Sequence, residues 1–382
     1  MKLCLLNKAR KGKHNFMNPS YCPNWETTKE RFTAWWKGEK IGSPIMRVVA
    51  KGKVANDLLP VEKFKDNEEM YLDAVKITRN CENYFKTHWF LEDAFPSACL
   101  NLGAGSMALY LGSQPHFAKE TVWFTECIDD WDRWGKLRYD ADNHWWKTHL
   151  KMLKTAKELS CGNFPVSIPD IVENVDVLSA MRGPQQLCYD LIEIPETIND
   201  YIEQVGDLYF KYYDEIYDIV KEPDGSSAYT AFAIWGPGRT AKLQCDFCAM
   251  ISTDHFKQFV QQSLRKQCRR IDNTIYHLDG PDAIRHVPAL MEIEELNCLQ
   301  WTSGAGQPDG GCECWYPIYD RAREANKTIW IYFTDGVEKD WVEGCRRLIK
   351  RYGPDCFYFY FNDFEDKKTA EEFTKTIKEA CK

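Results

Sequence analysis

The sequence predicts an α/β fold, a (β/α)8 barrel carrying an N-terminal helical extension. Short apolar runs alternate with helix-like segments over most of the chain. Counted from Pro44, there are roughly eight such units, and this alternation is the mark of a parallel sheet with helical crossovers. Eight units favour a closed barrel over an open doubly wound sheet. The 382 residues, 44% hydrophobic and 28% charged, can bury a large core, and no low-complexity linker divides them. Residues 1–42 are therefore read as an extension packed on the barrel, and residues 43–382 as the barrel itself.

The elements follow in order. Trp25, Trp35 and Trp36 lie among alternating charges between Asn24 and Gly38, which predicts a helix packed on the body. Pro44 to Val49 is a good first strand, and residues 60–86 are polar and helical. Ala98 to Leu102 is a second apolar run, followed by Gly103-Ala104-Gly105. Residues 129–160 read as amphipathic helix. Phe164 to Ile168 is strand-like, and an acid-rich helical region follows to about Lys221. Ser227 to Trp235 is strand-like, and Asp254–Arg270 helical. Strands are expected over Asn273–Leu278, Asn297–Trp301, Thr328–Phe333 and Cys356–Phe361. Helices are expected around 283–291, 315–325, 338–350 and 369–380.

In such a barrel the C-terminal strand ends form the active face. One of these strands ends in Tyr276-His277-Leu278-Asp279-Gly280. Alternate residues share a face, so His277 and Asp279 point the same way. They read either as a capped strand end or as a metal-ligand or acid–base pair, because imidazole and carboxylate both bind divalent metals and His titrates near neutrality. Asp93 reads either as a helix N-cap or as a carboxylate that orients substrate. Asp246 lies between Cys245 and Cys248. No second pair stands at zinc-finger spacing, so these thiols read as core, and Asp246 is a candidate substrate contact. Trp235, Trp301 and Tyr332 fall at or beyond expected strand ends, where some would line the mouth. Gln307 sits in the glycine-rich Gly304–Gly311 loop, which is expected to be a mobile lid over the mouth. Gly103-Ala104-Gly105 lacks the third glycine of a dinucleotide fingerprint. Neither a nicotinamide cofactor nor pyridoxal phosphate is expected.

There are 49 basic side chains against 57 acidic ones, a net charge of −8, which argues against a nucleic-acid or anionic-membrane partner. The apolar run in Met1–Lys8 is too short for a signal peptide, and no segment reaches the ~20 apolar residues of a membrane span. The 16 cysteines are scattered, which suits free thiols in a reducing cytoplasm, and so many of them suit an anaerobe.

The order of several motifs resembles the uroporphyrinogen decarboxylase superfamily, in particular its corrinoid-dependent methyltransferase branch. The resemblance runs from about residue 30 to 380. It is carried by Leu91-Glu92-Asp93-Ala94-Phe95-Pro96 with Leu102–Ser106, by Met181–Leu187, and by Trp235–Gly238 through Gln244-Cys245-Asp246. His277-Leu278-Asp279-Gly280 and residues 328–362 complete it. It implies the same barrel, and methyl transfer between a small methylated molecule and the corrinoid of a separate protein, with zinc at His277 and Asp279. Two departures stand out. Met46-Arg47 is followed by Val48-Val49-Ala50-Lys51, so most of the decarboxylase's arginine signature is missing. Asp279 stands where the methyltransferases carry a thiolate, and Asn362 and Asp363 stand where their last cysteine ligand falls. Carboxylate for thiolate hardens the site and disfavours a thiol substrate. A carboxy-lyase using Asp93 or Asp279, and a barrel that binds a small molecule without turning it over, are the alternatives. Substrate and oligomeric state stay open.

Overall fold

The computed structural model describes residues 17–333 and 338–382. Met1–Lys8 and the remainder of residues 1–16 lie outside the described residues. Eleven strands are present among those described: β1 (Ile45–Ala50), β2 (Trp89–Glu92), β3 (Pro115–Phe117), β4 (Val122–Phe124), β5 (Ser227–Tyr229), β6 (Ile234–Gly236), β7 (Thr240–Gln244), β8 (Asn273–Asp279), β9 (Cys298–Thr302), β10 (Thr328–Phe333) and β11 (Phe357–Phe361). Seven of them form one sheet in the order β2-β1-β11-β10-β9-β8-β7. All its pairings are parallel except β1 with β2. β3–β4 and β5–β6 are antiparallel hairpins.

From Asn273 onward the expected strands and helices agree with the structure to within a few residues. Three expectations upstream do not. Ala98–Leu102 and Phe164–Ile168 form no strand and meet in one parallel bridge, Ala98 to Val166. The strand expected over Ser227–Trp235 is instead the β5–β6 hairpin, and the sheet strand is β7, inside the Trp235–Asp246 segment where no strand is expected. Trp89–Glu92 adds antiparallel to β1, a pairing that helix-to-strand alternation does not announce. β7 escaped notice because Lys242 stands at its centre. A buried lysine is rare without a partner, and this one has Asp170 at 2.8 Å.

Both faces of the sheet are covered, as the apolar runs require. Val48, Tyr276, Leu278, Leu299, Ile331 and Phe359 face the layer of helices. Ile45, Ile275, Cys298, Trp330 and Tyr358 face the other way. At the N-terminal strand ends that second face is closed by the helix Trp25–Trp36. Its apolar residues recur at helical spacing, Trp25, Phe32, Trp35 and Trp36. Trp36 Nε1 donates to the Trp235 carbonyl at 2.8 Å, Trp35 Nε1 to the Cys356 carbonyl at 3.3 Å, and Phe32 meets Tyr358 edge-on at 5.7 Å. Arg31, on the same helix, reaches Asp93 at 2.7 Å and the carbonyls of Ile41, Ser43 and Pro44. Asp93 in turn accepts from the Met46 N–H at 3.0 Å.

His149 is fully buried among the helices. It accepts from the Tyr110 hydroxyl at 2.5 Å and contacts the Leu100 carbonyl at 2.9 Å. Burial lowers it from 6.5 to about 4, so the fold holds it neutral. A depressed histidine contributes stability that is complete above its unfolded value and is lost as the pH falls from about 6.5 to about 4. Urea unfolding across that window should show a loss of about 3 kcal/mol from this residue. His149→Gln should be less stable at pH 7 and should show a flatter pH dependence; an unchanged slope would contradict the assignment.

Candidate active site at the C-terminal strand ends

β8 ends with His277 and Asp279 on the same face of the sheet as Ile275. The register pairs Gln244 of β7 with His277, so Asp246, two residues past Gln244, comes level with Asp279. Asp246, His277 and Asp279 each offer one ligand atom, and these atoms lie within 4.8 Å of one another.

Hydrogen bonds orient this trio. His277 Nδ1 is bonded to Gln300 Oε1, and Gln300 Nε2 donates to Thr302 Oγ1 at 2.7 Å. With its Nδ1–H given to the amide oxygen, the ring presents Nε2 as a lone pair. Asp246 is set from the other side. Asp176 accepts from the backbone N–H of Asp246 and of Phe247, each at 2.9 Å, and from Gln244 Nε2 at 3.1 Å. Gln244 Nε2 also reaches Asp246 Oδ2 at 3.0 Å, and its Oε1 accepts from Lys242. The Gln244 N–H donates to Glu173 Oε1 at 3.2 Å, while Glu173 Oε2 is buried without a partner.

Electrostatics follow from this crowding. Burial and then the Lys242 ammonium lower His277, so the imidazole is neutral at pH 7. Burial within the cluster and then the Asp176 carboxylate push Asp246 up to about 7. Burial raises Glu173 well above the usual carboxylate range, more than Lys242 lowers it. Backbone strain marks the same segment: Val172 and Asn174 flank Glu173 at φ of 51° and 52°. A β-branched residue rarely takes that conformation, and such residues gather at functional sites.

The expected site residues separate into groups. His277, Asp279 and Asp246 come together. Tyr332 borders a hollow of about 250 Å³ with Thr302, Ser303, Gly304 and Asp309, and its ring lies 5.0 Å from Tyr360. Trp301 also borders that hollow, but it is buried and its ring packs on Trp315 at 5.0 Å. Gln307 is exposed at the loop tip. The loop's far half is pinned rather than free. A Cβ on Gly310 or Gly311 would come within 2.6 Å of Ile331 or Phe333, and Tyr319 bonds the Gly310 carbonyl at 2.6 Å. Trp235 and Asp93 lie at the opposite end of the sheet. Trp235 packs on Trp25 at 5.8 Å and Asp93 is held by Arg31. Asp93 there joins the N-terminal helix to the sheet, because the shared carboxylate binds both Arg31 and Met46. Asp363 is held by Arg47 at 2.8 Å and by the Tyr84 hydroxyl at 2.5 Å, away from the trio. Cys245 and Cys248 are buried, and no disulfide joins two of the described cysteines.

Sequence reasoning missed Lys242, Gln244, Asp170, Glu173, Asp176 and Gln300. A signal was present for one of them: Gln300 stands on the strand beside His277, at the same level in the alternation. The others depended on finding β7.

No family model matches the chain, and no curated protein matches it. Among solved structures it is similar to a methyltransferase from Methanosarcina mazei. The two share 12% sequence identity at a TM-score of 0.60, over 93% of this chain and 98% of that one. At this identity the likeness is one of fold. Among the described residues, no helix is long and apolar enough to cross a membrane.

If Asp93 serves the helix anchor and not the site, Asp93→Ala should lower stability by about 3–5 kcal/mol in urea unfolding, the cost of stranding Arg31. Once folded, the variant should leave the His277 imidazole resonances where they are in the native protein. Moved resonances with unchanged stability would return Asp93 to the site.

Proposed function

We propose that this chain is a metal-assisted methyltransferase that moves a methyl group between a small methylated molecule and the corrinoid of a separate protein. The observation that carries the reading is the trio Asp246, His277 and Asp279 with its oriented, neutral imidazole. One nitrogen and two carboxylate oxygens are a donor set that suits a divalent ion, zinc among them. Gln300 supplies the outer hydrogen bond that metal-binding histidines commonly make. Such an ion, when bound, would supply Lewis acidity to the methylated heteroatom. The chain's own residues hold the geometry: Gln300 fixes His277, Asp176 and Gln244 fix Asp246, and Lys242 offsets part of the acidic charge. The fold likeness to a methyltransferase supports the reaction class.

The same proposal takes the sheet as the body of a (β/α)8 barrel, with Ala98–Leu102 and Phe164–Ile168 spanning the gap between β7 and β1. Residues 1–42 form an extension on it, and the protein works in the cytoplasm. A carboxy-lyase fits less well. Asp170, Asp176 and Asp279 act on Asp246 together with the single cation Lys242, so a carboxylated substrate meets charge of its own sign. Arg47, the guanidinium nearest in kind to a carboxylate clamp, is committed to Asp363.

Purified protein should carry about one divalent ion per chain and should exchange methyl groups with reduced cobalamin. His277→Ala and Asp279→Ala should each remove the metal and most of the activity, and the double variant should lose little more. Full activity in metal-free protein, or a single variant that stays active while melting early, would contradict the proposal.

A further inference from the structure

Beside the trio lies a second hollow, of about 440 Å³, whose lining includes Asp246. Its apolar walls are Trp123 and Phe124 from the β3–β4 hairpin, with Phe247 and Met250 from the turn after β7. Trp123 and Met250 are exposed at its rim. Three carboxylates also line it, Glu126, Asp176 and Asp246, and no Lys, Arg or His does. None of the three makes an ion pair among the described residues.

The shape of this hollow is written into its glycines. Gly103 and Gly105, at φ of 98° and 92°, let the hairpin lie close, since a Cβ on Gly103 would come within 2.7 Å of Val122 and one on Gly105 within 3.3 Å of Phe124. Gly183, at φ 89°, leaves space that the Glu126 carboxylate fills; a Cβ there would come within 2.5 Å of it. Glu126 is thereby seated against the turn.

We infer that this hollow recognises an organic ammonium ion bearing methyl or larger apolar groups, as the non-reacting end of the substrate. The inference rests on the methyl-transfer reading only for the word substrate; the binding chemistry stands on the hollow. An aromatic face attracts a cation and also covers its alkyl groups. The carboxylates, whose charge Lys242 offsets only in part, supply the remaining attraction. Even with a divalent ion offsetting Asp246 and Asp279, Glu126 and Asp176 keep the hollow negative. An anion is repelled there, a neutral molecule uses only the apolar walls, and an inorganic cation uses only the carboxylates.

The test compares choline with its uncharged isostere, 3,3-dimethyl-1-butanol, by calorimetry and by tryptophan fluorescence, on chelator-treated protein at low salt. Choline should bind about tenfold or more tightly than the isostere. Glu126→Gln should weaken choline severalfold and leave the isostere unchanged, and Trp123→Leu should weaken choline. Both substitutions are at exposed positions and should leave the fold intact. Equal binding of the two probes, no binding of either, or displacement of choline by potassium at equal concentration would overturn the inference. Neither metal nor corrinoid is present, so its failure would leave methyl transfer standing. A failed methyl-transfer assay would likewise leave this result untouched.

Discussion

Lys242 is the constraint on which the candidate site depends. An ammonium buried on a parallel strand is costly unless it is paired and hydrogen-bonded. Asp170 pairs with it, and Gln244 accepts from it. Asp170 lies at the start of the strained segment in which Val172 and Asn174 take left-handed backbone. That segment brings Glu173 to the Gln244 N–H and leads into the helix that carries Asp176. Asp176 then holds the turn that aims Asp246 toward His277 and Asp279. One buried charge therefore links a strand, a strained connection and a capped turn into a single arrangement.

The two ends of the sheet divide the work. At the N-terminal strand ends, rings and an ion pair close the core: Trp25, Phe32, Trp35 and Trp36 cover Tyr358 and Trp235, and Asp93 binds Arg31. These groups are buried, and Asp93, Trp35 and Trp36 are hydrogen-bonded. At the C-terminal ends the same face turns polar, with Glu173 Oε2 unpartnered, Asp246 pushed up to about 7, and open hollows on either side. Unmet hydrogen-bonding capacity and shifted carboxylates are costly to a fold, and they gather where a ligand offsets the cost.

The second half of the fold was legible because its strands are apolar runs bounded by turn residues, and both faces of each are buried. The first half was less so. Ala98–Leu102 and Phe164–Ile168 have strand composition but make one bridge; the Ile168 N–H donates to the Ala228 carbonyl of β5, and the Leu100 carbonyl meets His149 Nε2. β7 was hidden by Lys242, whose partner lies 72 residues earlier in the chain, and no local pattern announces such a pairing. At the site, His277 and Asp279 could be read from alternation on one strand. Asp246 was visible as a candidate contact, but its place in the trio depends on register with β8. Trp235 and Asp93 were drawn to the mouth by their position beside motifs, and the packing of the N-terminal helix claims both.

The account stands or falls on the ligands of the trio. X-ray absorption at the edge of a divalent metal loaded into the full chain measures them directly. The account requires one imidazole nitrogen with the remaining scatterers oxygen, and no sulfur; loss of the imidazole signal in His277→Gln would assign it. A sulfur scatterer would give the site to one of the thiols, and an unchanged spectrum in that variant would put the metal elsewhere. Either result would contradict the assignment of Asp246, His277 and Asp279.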